Sequence, residues 1–299
     1  MSDGFPLSVY FMKKVNKVDS FYRPTRVEIS LDALRHNIQS FQQILPKTMN
    51  IMAVVKANAY GHGAVEVSRE ALACGASRLA VAFLDEALEL RRAGITAPIL
   101  VLGYTPPQGL LTAAENDITL AVYSDNVLEL LPASKNEKRL RIHIKLDTGM
   151  GRIGLYKEED AQRFVEKALQ LPNVLVEGLF THFAAADEAD KSYTFEQYSR
   201  FERIVDYFAQ RGIRFDLLHT GNSAAAIELP ELSYNMVRLG ISMYGMYPSD
   251  EVNRERVELQ PVLSLKTAVV MVKTLPPALA SAMAQFITLA KTRGSPRCP

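Results

Sequence analysis

A chain of 299 residues, 48% of them apolar and 22% charged, is long enough for one large domain or for one domain with part of another. A net charge of +1 gives no electrostatic case for nucleic acid or an anionic membrane, and no apolar run approaches the roughly 20 residues of a membrane span. The two cysteines, Cys74 and Cys298, make neither a disulfide framework nor a zinc pattern, which fits a reducing cytoplasm.

Residues 1–21 show no positive region ahead of an apolar core and read as a poorly ordered leader, with Met12 an alternative start. From Ile51 onward, short apolar runs alternate with amphipathic stretches. The predicted strands are Ile51–Val55, Leu79–Phe83, Pro98–Leu102, Ile118–Val122, Leu140–Leu146, Leu175–Phe180, Phe215–Leu218 and Asn235–Leu239. Helical periodicity falls between them, in AVEVSREALACG, LDEALELRRAG, EEDAQRFVEKALQL and TFEQYSRFERIVDYFAQRG. Three of these stretches end on glycine, as helix C-termini commonly do. Eight strand–helix units in about 200 residues predict an α/β fold of the (β/α)8, TIM-like kind over residues 22–256. Residues 257–299 read as the start of an incomplete C-terminal β domain.

In such a barrel, chemistry sits where strands end. The first predicted strand ends on Lys56, followed by Asn58, Tyr60 and His62. Strand five runs into KLDTGMGRIG, strand six into THFAAADE, strand seven into HTGNSAA and strand eight into VRLGISMYG. Taken singly these are weak signals: a lysine reaches solvent along its stem, and Asn222 with Ser223 makes an ordinary helix cap. Their shared placement on one barrel face is harder to dismiss.

A lysine in such a cup can condense with an aldehyde, and the best-known protein-bound aldehyde is pyridoxal 5′-phosphate. Backbone N–H groups and the serine hydroxyl of GNSAA, with Gly240 and Ile241 of RLGIS, suit its phosphate. Arg238 suits its ring nitrogen. Arginine stays protonated, so a ring nitrogen facing it stays unprotonated and the ring is a weaker electron sink. That suits a reaction that only removes and returns an α-proton.

These motifs, in this order and at this spacing, make the chain resemble bacterial alanine racemases, pyridoxal-phosphate enzymes of fold type III, from about Tyr22 to Pro277. The resemblance implies interconversion of L- and D-alanine, supplying D-alanine for peptidoglycan. Lys56 would hold the cofactor and act as one of two acid–base groups. Tyr60, Ser223, Gly240 and Ile241 would hold the phosphate, with Asn222 beside them. Arg152 would contact the phenolic oxygen and the substrate, and Arg238 would face the pyridine nitrogen. His182 and His219 would line the ring and its hydrogen-bond network. Lys145 would sit near Arg152, and its counterpart is carbamylated in some members. Gly221 stands where related sequences often carry alanine. A homodimer is implied, with the second base a tyrosine from the partner's β domain.

The tail departs from the family. The last tyrosine is Tyr247, and Ala278–Pro299 does not read as family sequence. Neighbouring reading frames can conceal a family-like Gly-Thr-Gly-Ile-Ser-Tyr-Gly near Ala278–Ala284, so small insertions or deletions are expected to have scrambled it. The expected consequence is an impaired, weakly dimeric racemase. The other reading is a non-catalytic barrel that only carries pyridoxal phosphate.

Overall fold

The computed structural model describes residues 22–131 and 139–274, and the backbone alone of 275, 280–281, 287–288 and 293–297. The expected leader, Cys298 and most of the anomalous tail lie outside the described residues.

Residues 29–263 form one compact unit, and the described residues on either side of them belong to a second. Strand β1 (Arg26–Ile29) pairs with β10 (Leu263–Lys266), and Thr25 and Thr267 share a hydroxyl hydrogen bond of 2.9 Å. Antiparallel pairing joins β11 (Met271–Leu275) to β14 (Arg293–Arg297) and β12 (Ala280–Ser281) to β13 (Ile287–Thr288).

The first unit is the barrel. Its strands are β2 (Asn50–Val54), β3 (Arg78–Val81), β4 (Ile99–Val101), β5 (Ile118–Val122), β6 (Leu140–Lys145), β7 (Val174–Phe180), β8 (Leu217–His219) and β9 (Met236–Leu239). All paired neighbours are parallel, in the order β8-β7-β6-β5-β4-β3-β2-β9. The seam between β8 and β9 is closed without a regular ladder. Asn235 N–H donates to the Leu218 carbonyl at 3.3 Å, and the Leu218 N–H donates to Asn235 Oδ1 at 2.9 Å.

Side-chain alternation along each strand sorts the core. Ile51 and Ala53 pack outward against the helices, while Met52 and Val54 join Ala80, Leu100, Leu217 and Met236 in a second cluster. Ile142 and Ile144 likewise face outward, which turns His143 and Lys145 to the other side of β6. The β6–β7 register shifts between Ile142 and His143, so Val176 and then Gly178 become the partners. Gly178 is required there: a Cβ would lie 2.6 Å from the Leu217 carbonyl oxygen and 3.2 Å from the His143 ring.

The helices follow the periodicity. AVEVSREALACG forms Ala64–Ala73, LDEALELRRAG forms Leu84–Arg92, and EEDAQRFVEKALQL forms Glu158–Leu169. The longest, Ser192–Ala209, begins before its predicted stretch. The glycines after three of them, Gly75, Gly94 and Gly212, have φ of 97°, 83° and 74°, the left-handed caps that glycine adopts without penalty. A helix the sequence reading did not assign, Leu31–Ile44, opens the unit. Ser30 caps it through Ala33 N–H at 3.1 Å, and Leu34, Ile38 and Phe41 bury its inner face. Each such side chain contributes about 1.5–3 kcal/mol.

Candidate active site

The carboxyl ends of the strands surround a cavity of about 730 Å³. Lys56, Tyr60, Arg152, His182, Asn222, Ser223, Arg238, Gly240 and Ile241 all line it, together with Lys145. His219 does not line it. That ring is fully buried beneath the floor, stacked on Phe180 with centroids 4.8 Å apart and in contact with Arg238, and both of those residues line the cavity. Of its expected places, on the ring of a ligand and in the hydrogen-bond network around it, the imidazole lies in a network beneath Arg238 and off the cavity wall.

Lys56 leaves β2 into an unusual turn. Ala57, Asn58, Ala59 and Tyr60 have φ of 52–54°, four consecutive non-glycine residues in the left-handed region. Each costs free energy that the surroundings must offset. The Glu86 carboxylate accepts from Ala57 N–H at 2.5 Å, Ala82 N–H at 2.6 Å and Phe83 N–H at 3.0 Å. Asn58 Oδ1 accepts from Ala64 N–H at 2.8 Å. His62 is not at the cavity: it is buried, hydrogen-bonded to the carbonyls of Ala59 and Tyr60 and packed 4.5 Å from the Tyr244 ring. The turn thus carries Lys56 and Tyr60 to the same rim.

Opposite them lies a small polar cup. Ser223 Oγ accepts from Gly240 N–H at 3.0 Å. A Cβ on residue 240 would lie 2.9 Å from the Tyr60 hydroxyl, so glycine lets that hydroxyl approach the backbone. Among the described residues, the N–H groups of Ala224 and Ile241 have no acceptor. Asn222 does two things: it caps the helix Ser223–Glu228 through Ala225 N–H at 3.0 Å, and it faces the cavity. Gly221 also has a reason. A Cβ there would meet Ser233 Oγ at 2.1 Å, so this chain fills with a serine the space an alanine methyl would take.

The floor is strongly cationic. Arg238 is fully engaged at both terminal nitrogens, donating to the carbonyls of His219, Thr181 and Thr220 at 3.0, 2.8 and 3.0 Å. It also contacts His219 Nδ1 at 3.0 Å and His182 Nδ1 at 3.1 Å. Its Nε–H has no acceptor among the described residues. Burial, then the neighbouring Arg152, lower this guanidinium to about 9, so it remains a cation at neutral pH. Burial, then the charge of Arg238, holds His182 well below its usual range and therefore neutral. Lys145, over the Phe180 ring at 5.2 Å, is lowered to about 7, mainly by burial and next by Arg238. The glycine-rich loop after β6 is shaped by Asp147 Oδ1, which accepts from Gly149 and Gly151 N–H at 3.0 and 3.1 Å. That loop carries Arg152 to the rim, exposed.

Beneath the floor lie groups that the sequence reading missed: His143, Glu177 and Arg78, linked to Arg238 through His219. Their signal was a charged or imidazole side chain within strands buried on both faces, as in LRIHIK and VLVEGLF.

The alanine racemase N-terminal domain model matches residues 29–248. An alanine racemase of Methanococcus maripaludis is 49% identical over 255 residues, covering 85% of this chain and 68% of that protein. A solved alanine racemase from Bacillus anthracis with bound L-Ala-P superposes with a TM-score of 0.82 at 42% identity, over 91% of this chain and 71% of that one. A histidine racemase from Leuconostoc mesenteroides superposes at 0.83 with 31% identity, over 91% of this chain and 73% of that one. The chain thus spans about two thirds of the length of its curated relatives. By the match of its barrel and the extent of these identities, it belongs to the alanine racemase family.

Proposed function

We propose that this barrel binds pyridoxal 5′-phosphate and racemises alanine. One observation carries the reading: a lysine, an arginine with one uncommitted N–H, and a cup of hydroxyl and backbone donors all face a single cavity. A volume of about 730 Å³ falls within the range of small-molecule sites. The residues fit the cofactor. Tyr60, Ser223 and the N–H groups of Ala224 and Ile241 supply donors for a phosphate, and glycine at 240 opens the space between them. Arg238 Nε–H suits a ring nitrogen, and the exposed cation Arg152 suits a phenolic oxygen and a substrate carboxylate.

Bound pyridoxal phosphate supplies an aldehyde for amines and an electron-poor ring that acidifies an amino acid's α-hydrogen. This chain's residues do the rest. Lys56 holds the cofactor and moves a proton at the α-carbon from one side. Arg238 would present a positive charge to the ring nitrogen, disfavouring protonation there and restraining the ring's electron-withdrawing power. Neutral His182 adds no charge beside the ring, and the buried floor would keep water from that side.

Inversion is easiest with a second acid–base group on the opposite side. By resemblance that is a tyrosine from a partner's β domain, and no tyrosine follows Tyr247 in these residues. We therefore expect the 299-residue polypeptide alone to be a slow racemase, and a homodimer to be the assembly in which the family chemistry operates. Exposed Phe83, Tyr104 and Met246 are suited to such a contact. The substrate side chain is a finer point. A histidine racemase shares this fold, so the barrel by itself accommodates family members with different substrates.

The test is α-proton exchange. Incubated with pyridoxal phosphate and L-alanine in D₂O, the protein should incorporate deuterium at the α-carbon and form D-alanine. Exchange no faster than with free pyridoxal phosphate would overturn the reading.

A further inference from the structure

A line of buried groups runs from the cavity floor to the opposite end of the barrel. Arg238 Nη1 lies 3.0 Å from His219 Nδ1, His219 Nε2 lies 2.8 Å from His143 Nδ1, and His143 Nε2 lies 2.9 Å from Glu177 Oε2. Arg78 grips the carboxylate with both terminal nitrogens at 3.0 Å each. Both histidines are fully buried. Phe180 stacks on His219, Lys145 lies on the Phe180 ring, and Arg141 Nε stands 3.9 Å from Glu177 Oε1 while its terminal nitrogen pairs with Asp117.

Only one arrangement of protons satisfies every contact. A guanidinium can only donate, so His219 Nδ1 must accept. Neutral His219 then carries its hydrogen on Nε2 and donates to His143 Nδ1. His143 in turn carries its hydrogen on Nε2 and donates to Glu177, which as a carboxylate can only accept. A proton added to either ring would place a hydrogen on an Nδ1 that already receives one. Burial lowers both histidines below their usual range, in keeping with neutral rings. Both nitrogens of His143 are used in the chain, which leaves neither for a metal.

We propose that Glu177 is a positioning residue for the cavity: as the terminal acceptor of this relay it fixes the tautomers of His143 and His219, and through them the orientation of Arg238. The arginine can then spend both terminal nitrogens on the floor and keep Nε–H for the cavity. This goes beyond the proposed function and rests on it only for what Nε–H meets there.

Glu177→Gln separates this role from packing. Arginine flanks both oxygens of Glu177, and His143 shares Oε2. An amide nitrogen at Oε1 would face Arg78 and Arg141, neither of which can give up a proton. At Oε2 it faces one arginine nitrogen, Arg78 Nη1, together with His143, and of these only His143 can respond, by moving its hydrogen to Nδ1. That reverses the order and sets His219 against Arg238.

The experiment is long-range ¹H–¹⁵N NMR of the cofactor-free full chain with labelled histidine, which has five such residues, assigned by single substitutions. Wild type should show hydrogen on Nε2 and not on Nδ1 at both His143 and His219. Glu177→Gln should move hydrogen to Nδ1 of His143, wholly or as a second set of signals. Glu177→Asp, which keeps two acceptors, should retain the wild-type pattern. Hydrogen on Nδ1 of either ring in wild type would overturn the relay, and unchanged tautomers in Glu177→Gln would reduce Glu177 to packing. If Glu177→Gln does not fold, wild type and Glu177→Asp decide: a differing pattern in Glu177→Asp overturns the role. No cofactor is present, so a failed α-exchange test overturns the functional reading and leaves this relay standing.

Discussion

Removing the Glu177 charge should cost stability in a pH-dependent way. Its carboxyl is held to about 2, against an ordinary 4.5, because the hydrogen bond from His143 and the Arg78 charge outweigh its burial. A depressed carboxylate stabilises the fold above its unfolded pKa and loses that contribution as pH falls through the folded one. A shift of about 2.5 units corresponds to about 3 kcal/mol at pH 7, using 1.36 kcal/mol per unit. Glu177→Gln should therefore lower the unfolding free energy by about 3 kcal/mol at pH 7, a size also seen when one partner of a buried pair is removed. Linkage makes the difference between the two proteins about 1 kcal/mol smaller at pH 4, because part of the wild-type advantage has already titrated away. Urea unfolding of both proteins at the two pH values measures this. A difference below about 1 kcal/mol at pH 7, or one unchanged between pH 7 and pH 4, would refute the argument that the Arg78–Glu177–His143 contacts are net stabilising.

Other outcomes follow from the cavity. Gly240→Ala would place a Cβ 2.9 Å from the Tyr60 hydroxyl and should displace that hydroxyl and weaken pyridoxal-phosphate binding about tenfold or more, read by absorbance titration of a variant shown to be folded by circular dichroism. Lys145, at about 7, is roughly half unprotonated at neutral pH, whereas an ordinary lysine is so only about once in 10³ or fewer. It should form a carbamate with ¹³C-bicarbonate, seen as a ¹³C signal that Lys145→Met abolishes and that fades as pH falls below 7 and the amine protonates. A polypeptide of these 299 residues should racemise alanine at least ~10²-fold slower than one in which a tyrosine-bearing β domain follows the barrel, the usual worth of a general base; equal kcat values would mean another residue supplies that base.

Much of this was legible in the sequence because the physics is local. The strand Ile118–Val122 is recovered to the residue, and the other barrel strands differ at their ends by one or two residues. An apolar run bounded by polar turn residues has few alternatives. Helix ends were legible wherever a glycine supplied a left-handed cap, at Gly75, Gly94 and Gly212. The cavity residues were legible because barrel strand ends converge on one face. What stayed hidden depends on partners distant in sequence. Nothing in Ala57–Tyr60 announces four left-handed residues, since glycine is absent and the stabilising carboxylate, Glu86, lies on the next helix. His219 was placed at the cavity by its position at a strand end, whereas its ring turns under Arg238. The relay to Glu177 depends on the one-residue register shift at Gly178, which no periodicity reveals.

The most direct test of the central claim is the visible spectrum of the protein mixed with pyridoxal phosphate, compared with that of Lys56→Ala. The cavity predicts a protein-dependent band that persists through gel filtration in the wild type and is lost from Lys56→Ala, even though both remain folded by circular dichroism. A wild-type protein that emerges colourless, or a Lys56→Ala variant that keeps an identical band, would contradict the assignment of this barrel to pyridoxal-phosphate chemistry through Lys56.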